Sequence, residues 1–406
     1  MRSRVDAAVS LDDLRLAAKR RLPRIAYDFI EGGVEDEHAL ARNRDVYRRY
    51  TLLPRYLTGV AAPDQSRSLF GRSYTSPFGI CPMGLSGLWR DGTDLALAAA
   101  AADARIPFVL STSSNASIEA AHRLAPDTTW FQLYGSRDRS ITARLIARVR
   151  DLGVETLVLT VDVPAAPRRE RNLRNGFTRP LRFRPSIVLD GLRHPVWLRG
   201  FLKHRIPMME NWAPYAEPGA NADVVGDVFA ANTPNPTQTW AVFDDIRRAW
   251  PGRLVVKGIL HPDDARRAVA GGADGLIVSN HGGRQLDRAP SAVELLPAVR
   301  AAVGPEVTVA VDGGVTRGTD ILVALCLGAD FAFVGRSILY GAVAGGRSGA
   351  DKAISILRQE ISTNLVQIGV ASLDELGPHS LGPCPVDPHA VDQTGPYPAA
   401  PPRMAS

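Results

Sequence analysis

The segment Ser279-Asn280-His281-Gly282-Gly283-Arg284-Gln285-Leu286-Asp287 sets a histidine, an arginine and a serine close together, with two glycines between the histidine and the arginine. Histidine is the side chain whose ordinary pKa lets it take or give a proton near neutrality. A guanidinium offers paired donors to a carboxylate or a phosphate. The segment follows Gly275-Leu276-Ile277-Val278, an apolar run that reads as a buried strand. A strand that opens into a glycine turn bearing an acid–base group and a fixed cation is what the edge of an active site needs. Taken alone, the same string is also a polar turn closed by Gly-Gly, and the rest of the chain has to decide.

Seven further apolar runs end in polar or glycine-containing turns. They are Phe78-Gly79-Ile80-Cys81, Pro107-Phe108-Val109-Leu110, Trp130-Phe131-Gln132-Leu133, Leu157-Val158-Leu159-Thr160, Leu254-Val255-Val256-Lys257, Val307-Thr308-Val309-Ala310-Val311 and Phe331-Ala332-Phe333-Val334. Helical patterns lie between most of them, as at 94–104, 140–152, 263–270, 292–303 and 319–327. Continuously apolar strands alternating with helices imply a parallel sheet covered on both faces. Eight such units fit an α/β fold of the (β/α)₈ barrel type, with a doubly wound open sheet as the alternative. In a barrel, reacting groups sit at the C-terminal strand ends. Read in turn, those ends carry Gly84, Ser111, Gln132 with Tyr134, Thr160 with Asp162, Lys257, Ser279 with His281 and Arg284, Asp312-Gly313-Gly314, and Gly335-Arg336. Lys257 directly after Leu-Val-Val must be paired or meet a ligand. The last two ends together read as a phosphate site.

Two parts stand outside the repeat. Residues 1–75 form a helical extension, with 11–22 and 27–50 helical and Ser10 with Asp13 capping the first helix. Residues 163–239 form a long insertion after the fourth strand, rich in Arg, Pro and Trp. Residues 1–377 thus read as one domain and 378–406 as a Pro-rich irregular tail. Lys plus Arg number 48 against 42 Asp plus Glu, and the basic residues form no array of the nucleic-acid-reading kind. Cys81, Cys326 and Cys384 are far apart, which argues against a disulfide framework or a metal site and suits a reducing compartment. No signal peptide and no apolar run of membrane-crossing length is expected.

The Ser279–Asp287 string does not stand alone. With Leu22-Pro23, Tyr27-Asp28-Phe29-Ile30-Glu31-Gly32-Gly33, Pro107–Thr112, Trp130–Tyr134, Leu159–Asp162, Val256-Lys257-Gly258 and Asp312-Gly313-Gly314, it resembles the FMN-dependent α-hydroxy-acid dehydrogenase/oxidase family over about residues 10–375. Within that family the likeness is to the quinone-linked mandelate and L-lactate branch. The resemblance implies FMN as cofactor and oxidation of an (S)-2-hydroxy acid to the 2-oxo acid, with electrons passed to a quinone. Oxygen as acceptor, giving peroxide, and a flavin-binding barrel without turnover are the alternatives. It implies His281 as base, Asp162 as its stabilising partner, Arg169 and Arg284 on the substrate carboxylate with Tyr27, and Tyr134 on the substrate hydroxyl. Pro82, Met83, Gly84, Ser111, Gln132, Thr160, Lys257 and Ser279 would bind FMN. Asp312, Gly313, Gly314, Gly335 and Arg336 would hold its ribityl and phosphate parts. A homotetramer in the cytoplasm, peripheral on the inner face of the cell membrane, is also implied.

The chain departs from the family at Thr316, where arginine is common; Arg336, backbone donors or Arg317 would then carry the phosphate. Met83 replaces a frequent threonine, and Gly84 matches the dehydrogenase side, where oxidases have alanine. In the insertion, 192–205 interleaves Arg, Lys and His with Trp, Phe and Leu. That composition suits either an anionic membrane surface or a basic lid over the barrel mouth.

Overall fold

The structure, a computed structural model, describes residues 5–177 and 184–382. The eight apolar runs are eight strands: β1 (Phe78–Ile80), β2 (Phe108–Ser111), β3 (Thr129–Tyr134), β4 (Thr156–Thr160), β5 (Arg253–Ile259), β6 (Gly275–Val278), β7 (Thr308–Asp312) and β8 (Phe331–Val334). All pair in parallel, and β8 bonds to both β7 and β1, closing the barrel and excluding the open sheet. The strands lack polar alternation because both faces are buried. Val109, Trp130, Val158, Val255, Ile277, Ala310, Phe331 and Phe333 fill the barrel interior with Leu69 and Tyr74 of a two-stranded hairpin, Arg67–Leu69 with Arg72–Tyr74. Their neighbours along each strand, such as Leu110, Phe131, Leu159, Val256 and Val311, pack outward on the helices.

Helix α1 (Leu11–Arg21) starts in a capping box of Ser10 and Asp13, as expected. The single helical stretch expected over 27–50 is instead α2 (Arg24–Glu31), α3 (His38–Asp45) and a 3₁₀ turn at Tyr47–Arg49. The break falls at Gly32-Gly33, followed by left-handed backbone at Glu35 and Glu37 (φ 47° and 64°). A side chain on Gly33 would stand 2.8 Å from the carbonyl oxygen of Gly283, so the chain must bend where it presses on the glycine turn after β6.

The insertion between β4 and β5 has elements of its own: α4 (Glu170–Arg174), α5 (Pro185–Leu192), α6 (Pro195–His204) and α7 (Ala222–Asn232). Helix α6 has no buried residue. It is tied to the loop after β1 by Trp197 Nε1, which donates to the Leu88 carbonyl at 3.1 Å. Val188, Leu189, Leu192, Val196 and Leu202 are exposed on α5 and α6. Arg193, Arg199, Lys203 and Arg205 are exposed among them. Among the described residues no helix is long and apolar enough to cross a membrane. Of the expected tail, Pro378–Ser380 is a 3₁₀ turn and Leu381 bridges to Leu52; residues 383–406 lie outside the described residues.

Candidate active site

Strand register gathers the predicted groups on one rim. Ser111 lies beside Gln132, Tyr134 beside Thr160, Thr160 beside Lys257, and Asp312 beside Phe333. Above them opens a cavity of about 1130 Å³ whose lining includes Met83, Tyr134, Arg169, Lys257, His281 and Arg284.

His281 has φ 57°, an uncommon conformation for a residue with a side chain. Its N–H donates to Ser279 Oγ at 3.0 Å, and its Nδ1 lies 2.9 Å from Asp162 Oδ1. Gly283 continues the left-handed run (φ 74°), and a side chain there would meet the backbone of Leu40 at 2.5 Å. The turn is clamped to α3 by reciprocal amide bonds of 2.8 Å between Asn43 and Asn280. Burial disfavours a charge on Asp162, but His281, and further off Lys257, still bring its carboxyl below the ordinary carboxylate range. A charged Asp162 accepts from Nδ1–H, which leaves the lone pair of His281 on Nε2.

Lys257 is buried at the end of β5. Its ammonium donates to Ser279 Oγ at 2.6 Å and, more tightly, to Asp312 Oδ2. Burial opposes that charge, yet Asp312 and then Asp162 hold it above the usual lysine range. Ser279 thus accepts from both Lys257 and His281, a positioning duty that the sequence does not reveal.

Three guanidinia, Arg169, Arg284 and Arg336, line the same cavity, and among the described residues none has an acidic partner within ion-pair distance. Arg284 donates to the carbonyls of Phe29 (2.9 Å) and Gly32 (2.6 Å). Burial, then Arg169 and Arg336, push its pKa well below the ordinary value. Arg169 Nε is buried without a partner among the described residues. Uncompensated positive charge of this kind is a seat for an anion. Tyr134 stands nearby with its phenol pushed up to about 12 by burial and by Asp162.

Several expectations are corrected. Tyr27 is absent from the cavity lining; its hydroxyl accepts from Arg15 at 3.0 Å and its ring stacks on Tyr340. The helix turns by about 100° per residue, so Phe29, two positions on, faces the cavity instead and lies 5.1 Å beneath the Arg284 guanidinium. Phe29 packs on Trp89 (5.0 Å between centroids) and on Phe177 of the insertion (4.8 Å). This aromatic wall was missed; once α2 is known to begin at Arg24, its turn angle would have separated Tyr27 from Phe29. Arg336 lines the cavity but spends its guanidinium on the carbonyls of Ile30, Gly282 and Gly32. Arg317 does not stand in for the missing arginine, because it pairs with Glu360 at 2.7 Å. Thr316 gives both its N–H and its hydroxyl to Asp320. Gly314 is small to clear the Asn43 carbonyl oxygen, which a side chain would approach to 1.9 Å, whereas Gly313 is the more open of the two. Gly84 likewise avoids Ser113, whose hydroxyl is 3.1 Å from Ser111 Oγ.

The rim fits a planar heterocycle with a polyol tail. Gln132 Oε1 is taken by the Ser111 hydroxyl (3.0 Å), which leaves its Nε2 without a partner. Thr160 Oγ1 and Asp312 Oδ1 are likewise buried and without a partner among the described residues. Thr160 and Asp312 line the cavity, and Gln132 stands behind them bonded to cavity-lining Ser111, so orphaned donors and acceptors from three strands lie where a flavin's heteroatoms and ribityl hydroxyls need partners.

A family model described as FMN-dependent dehydrogenase matches residues 18–383. The (S)-mandelate dehydrogenase of Pseudomonas putida is 39% identical over 373 residues, covering 92% of this chain and 93% of that protein. An L-lactate dehydrogenase of Pseudomonas syringae is 38% identical over 369 residues, covering 90% and 96%. Among solved structures, the monotopic membrane protein (S)-mandelate dehydrogenase superposes with a TM-score of 0.89 at 38% identity, over 92% of this chain and 99% of that one. A mandelate oxidase variant with (S)-mandelic acid gives 0.76 at 32%, over 92% and 98%.

Proposed function

The chain belongs to the FMN-dependent dehydrogenase family and is an FMN-dependent 2-hydroxy-acid dehydrogenase; from that premise we propose that it oxidises an aryl (S)-2-hydroxy acid of the mandelate type and delivers the electrons to a quinone in the membrane. The observation that carries this reading is the cluster of guanidinia that share one cavity with His281 and that, among the described residues, have no acidic partner. Arg284 and Arg169 hold the carboxylate. Tyr134, protonated up to about pH 12, hydrogen-bonds the hydroxyl oxygen. His281 Nε2 takes up one of the two departing hydrogens as a proton, and charged Asp162 stabilises the imidazolium that results. FMN, when bound, supplies the two-electron redox chemistry. Ser111, Gln132, Thr160, Ser279, Lys257 and Asp312, with Pro82, Met83 and Gly84, would hold its ring and ribityl chain. Gly313, Gly335 and Arg336 would lie toward its phosphate.

The aromatic wall of Phe29 and Trp89, with Leu85, Met83, Val163 and Phe229 around it, favours a phenyl side chain over a methyl. Burying a phenyl group contributes about 2–3 kcal/mol, so kcat/KM for (S)-mandelate should exceed that for L-lactate at least about tenfold. Anaerobic bleaching of the flavin by a panel of 2-hydroxy acids measures this. A preference for lactate would remove the aryl assignment, and bleaching by none of them would leave a barrel without turnover. Readmitting oxygen then tests the acceptor: rapid stoichiometric peroxide would make the protein an oxidase.

Membrane attachment rests on α5 and α6, where exposed apolar side chains lie among exposed basic ones, and on the monotopic neighbour. A deletion through residue 230 would also remove fully buried Trp212 and cavity-lining Phe229. Polar substitution is the cleaner test. With Val188, Leu189, Leu192, Val196 and Leu202 all changed to serine, the protein should move from the membrane pellet to the supernatant and still reduce a soluble dye. A wild-type protein found wholly in the supernatant would end the membrane reading.

A further inference from the structure

Cys81 lies in the cavity lining, and neither the proton transfers nor the carboxylate grip gives it a task. It follows β1 directly, its N–H donates to the Val334 carbonyl of β8 at 3.0 Å, and its side chain points into the barrel interior with Val109, Trp130 and Phe333. There its Sγ lies 3.3 Å from Asp312 Oδ2. That oxygen is the same one that takes the Lys257 ammonium, while Asp312 Oδ1 has no partner among the described residues. One carboxylate oxygen therefore receives two donors from opposite sides of the barrel, a thiol from β1 and an ammonium from β5.

We propose that Cys81 is a positioning residue that sets how strongly Asp312 holds the Lys257 ammonium, and through that the reduction potential of the bound flavin. A thiol is a weak donor, and among the described residues this one bonds to Asp312. Burial, and then the Asp312 charge, push its pKa well above the ordinary value, so the proton stays on sulfur. Its hydrogen bond draws part of the Asp312 charge away from Lys257. Removing the S–H leaves Asp312 to offset more of the ammonium, and the cavity floor becomes less positive. A two-electron couple that gains negative charge on reduction then shifts toward its oxidised side.

The test is the midpoint potential of the FMN-loaded protein, measured by photoreduction against a reference dye with no hydroxy acid present, so it does not depend on the substrate. Cys81→Ala should keep its FMN and shift the couple about threefold toward the oxidised side, which is about 14 mV lower at about 30 mV per tenfold for two electrons. Cys81→Ser, whose hydroxyl is the stronger donor, should return the potential to the wild-type value or above it. An alanine variant at the wild-type potential, or alanine and serine variants displaced alike, would assign Cys81 to packing and overturn the proposal. A serine variant below wild type overturns it as well, and that arm stands even if the alanine variant does not accumulate.

Discussion

His281→Gln is expected to yield a yellow, FMN-loaded protein whose flavin is reduced by substrate at least about 10⁴-fold more slowly, the upper range for loss of a positioned acid–base group. Apart from Ser279, the flavin contacts proposed above come from other strand ends, and the substitution keeps the backbone N–H that Ser279 Oγ accepts, so cofactor content should hold. Glutamine removes the Nε2 lone pair and leaves Asp162 without the Nδ1–H that it accepts at 2.9 Å. Because position 281 has φ 57°, His281→Asn is the useful companion, asparagine being the more at ease in left-handed backbone. Stopped-flow bleaching at saturating mandelate is the measurement, and an unchanged rate in either variant would refute the base assignment. The pH behaviour has a definite sign. Asp162 is depressed in the folded protein, so its contribution to stability is present above its unfolded value of about 4 and is lost as pH falls through the folded one. With Tyr134 raised to about 12, neither group adds a limb to the rate profile between about pH 4 and 12.

Lys257→Met should be the most destabilising single change at the rim. Lys257 and Asp312 are each only 4% exposed, and removing one member of a buried pair leaves the other charge uncompensated, at a cost of about 3–5 kcal/mol. The double variant Lys257→Met with Asp312→Leu should regain most of that stability, since the pair is then replaced by apolar groups. It should not regain FMN affinity, because Asp312 Oδ1 and the cavity cation are both gone. Urea unfolding together with flavin fluorescence titration separates the two effects. A single variant as stable as the wild type would mean that the charge on Asp312 is relieved in some other way. The lysine's folded pKa is raised, so its stabilising contribution is complete below its unfolded value of about 10.4 and fades only as pH climbs through the folded one.

The architecture was legible because its cause is local. A strand buried on both faces must be apolar throughout, and a group that ends such a strand must point into whatever the rim encloses. The eight runs, the intervening helices at 94–104 and 292–303, the Ser10–Asp13 cap and the His281 turn could all be read that way. The partners of those groups were not legible. That Tyr27 turns to Arg15 while Phe29 takes the cavity depends on how α2 docks. That Arg336 is spent on the carbonyls of Ile30 and Gly32, some three hundred residues away, depends on the N-terminal segment crossing the barrel mouth. Gly314 has to clear the Asn43 carbonyl, and the Cys81 thiol finds a carboxylate from β7.

By itself, then, the amino-acid sequence determined the barrel, its rim and the chemical kinds of group on it, through burial patterns that act over a few residues. Only the tertiary structure decided which arginines lack a carboxylate partner among the described residues, which aromatic faces the cavity and which glycines answer to packing. Those outcomes turn on hydrogen bonds and steric contacts between segments far apart in the chain, where a rotation of one helix by two residues exchanges one side chain for another.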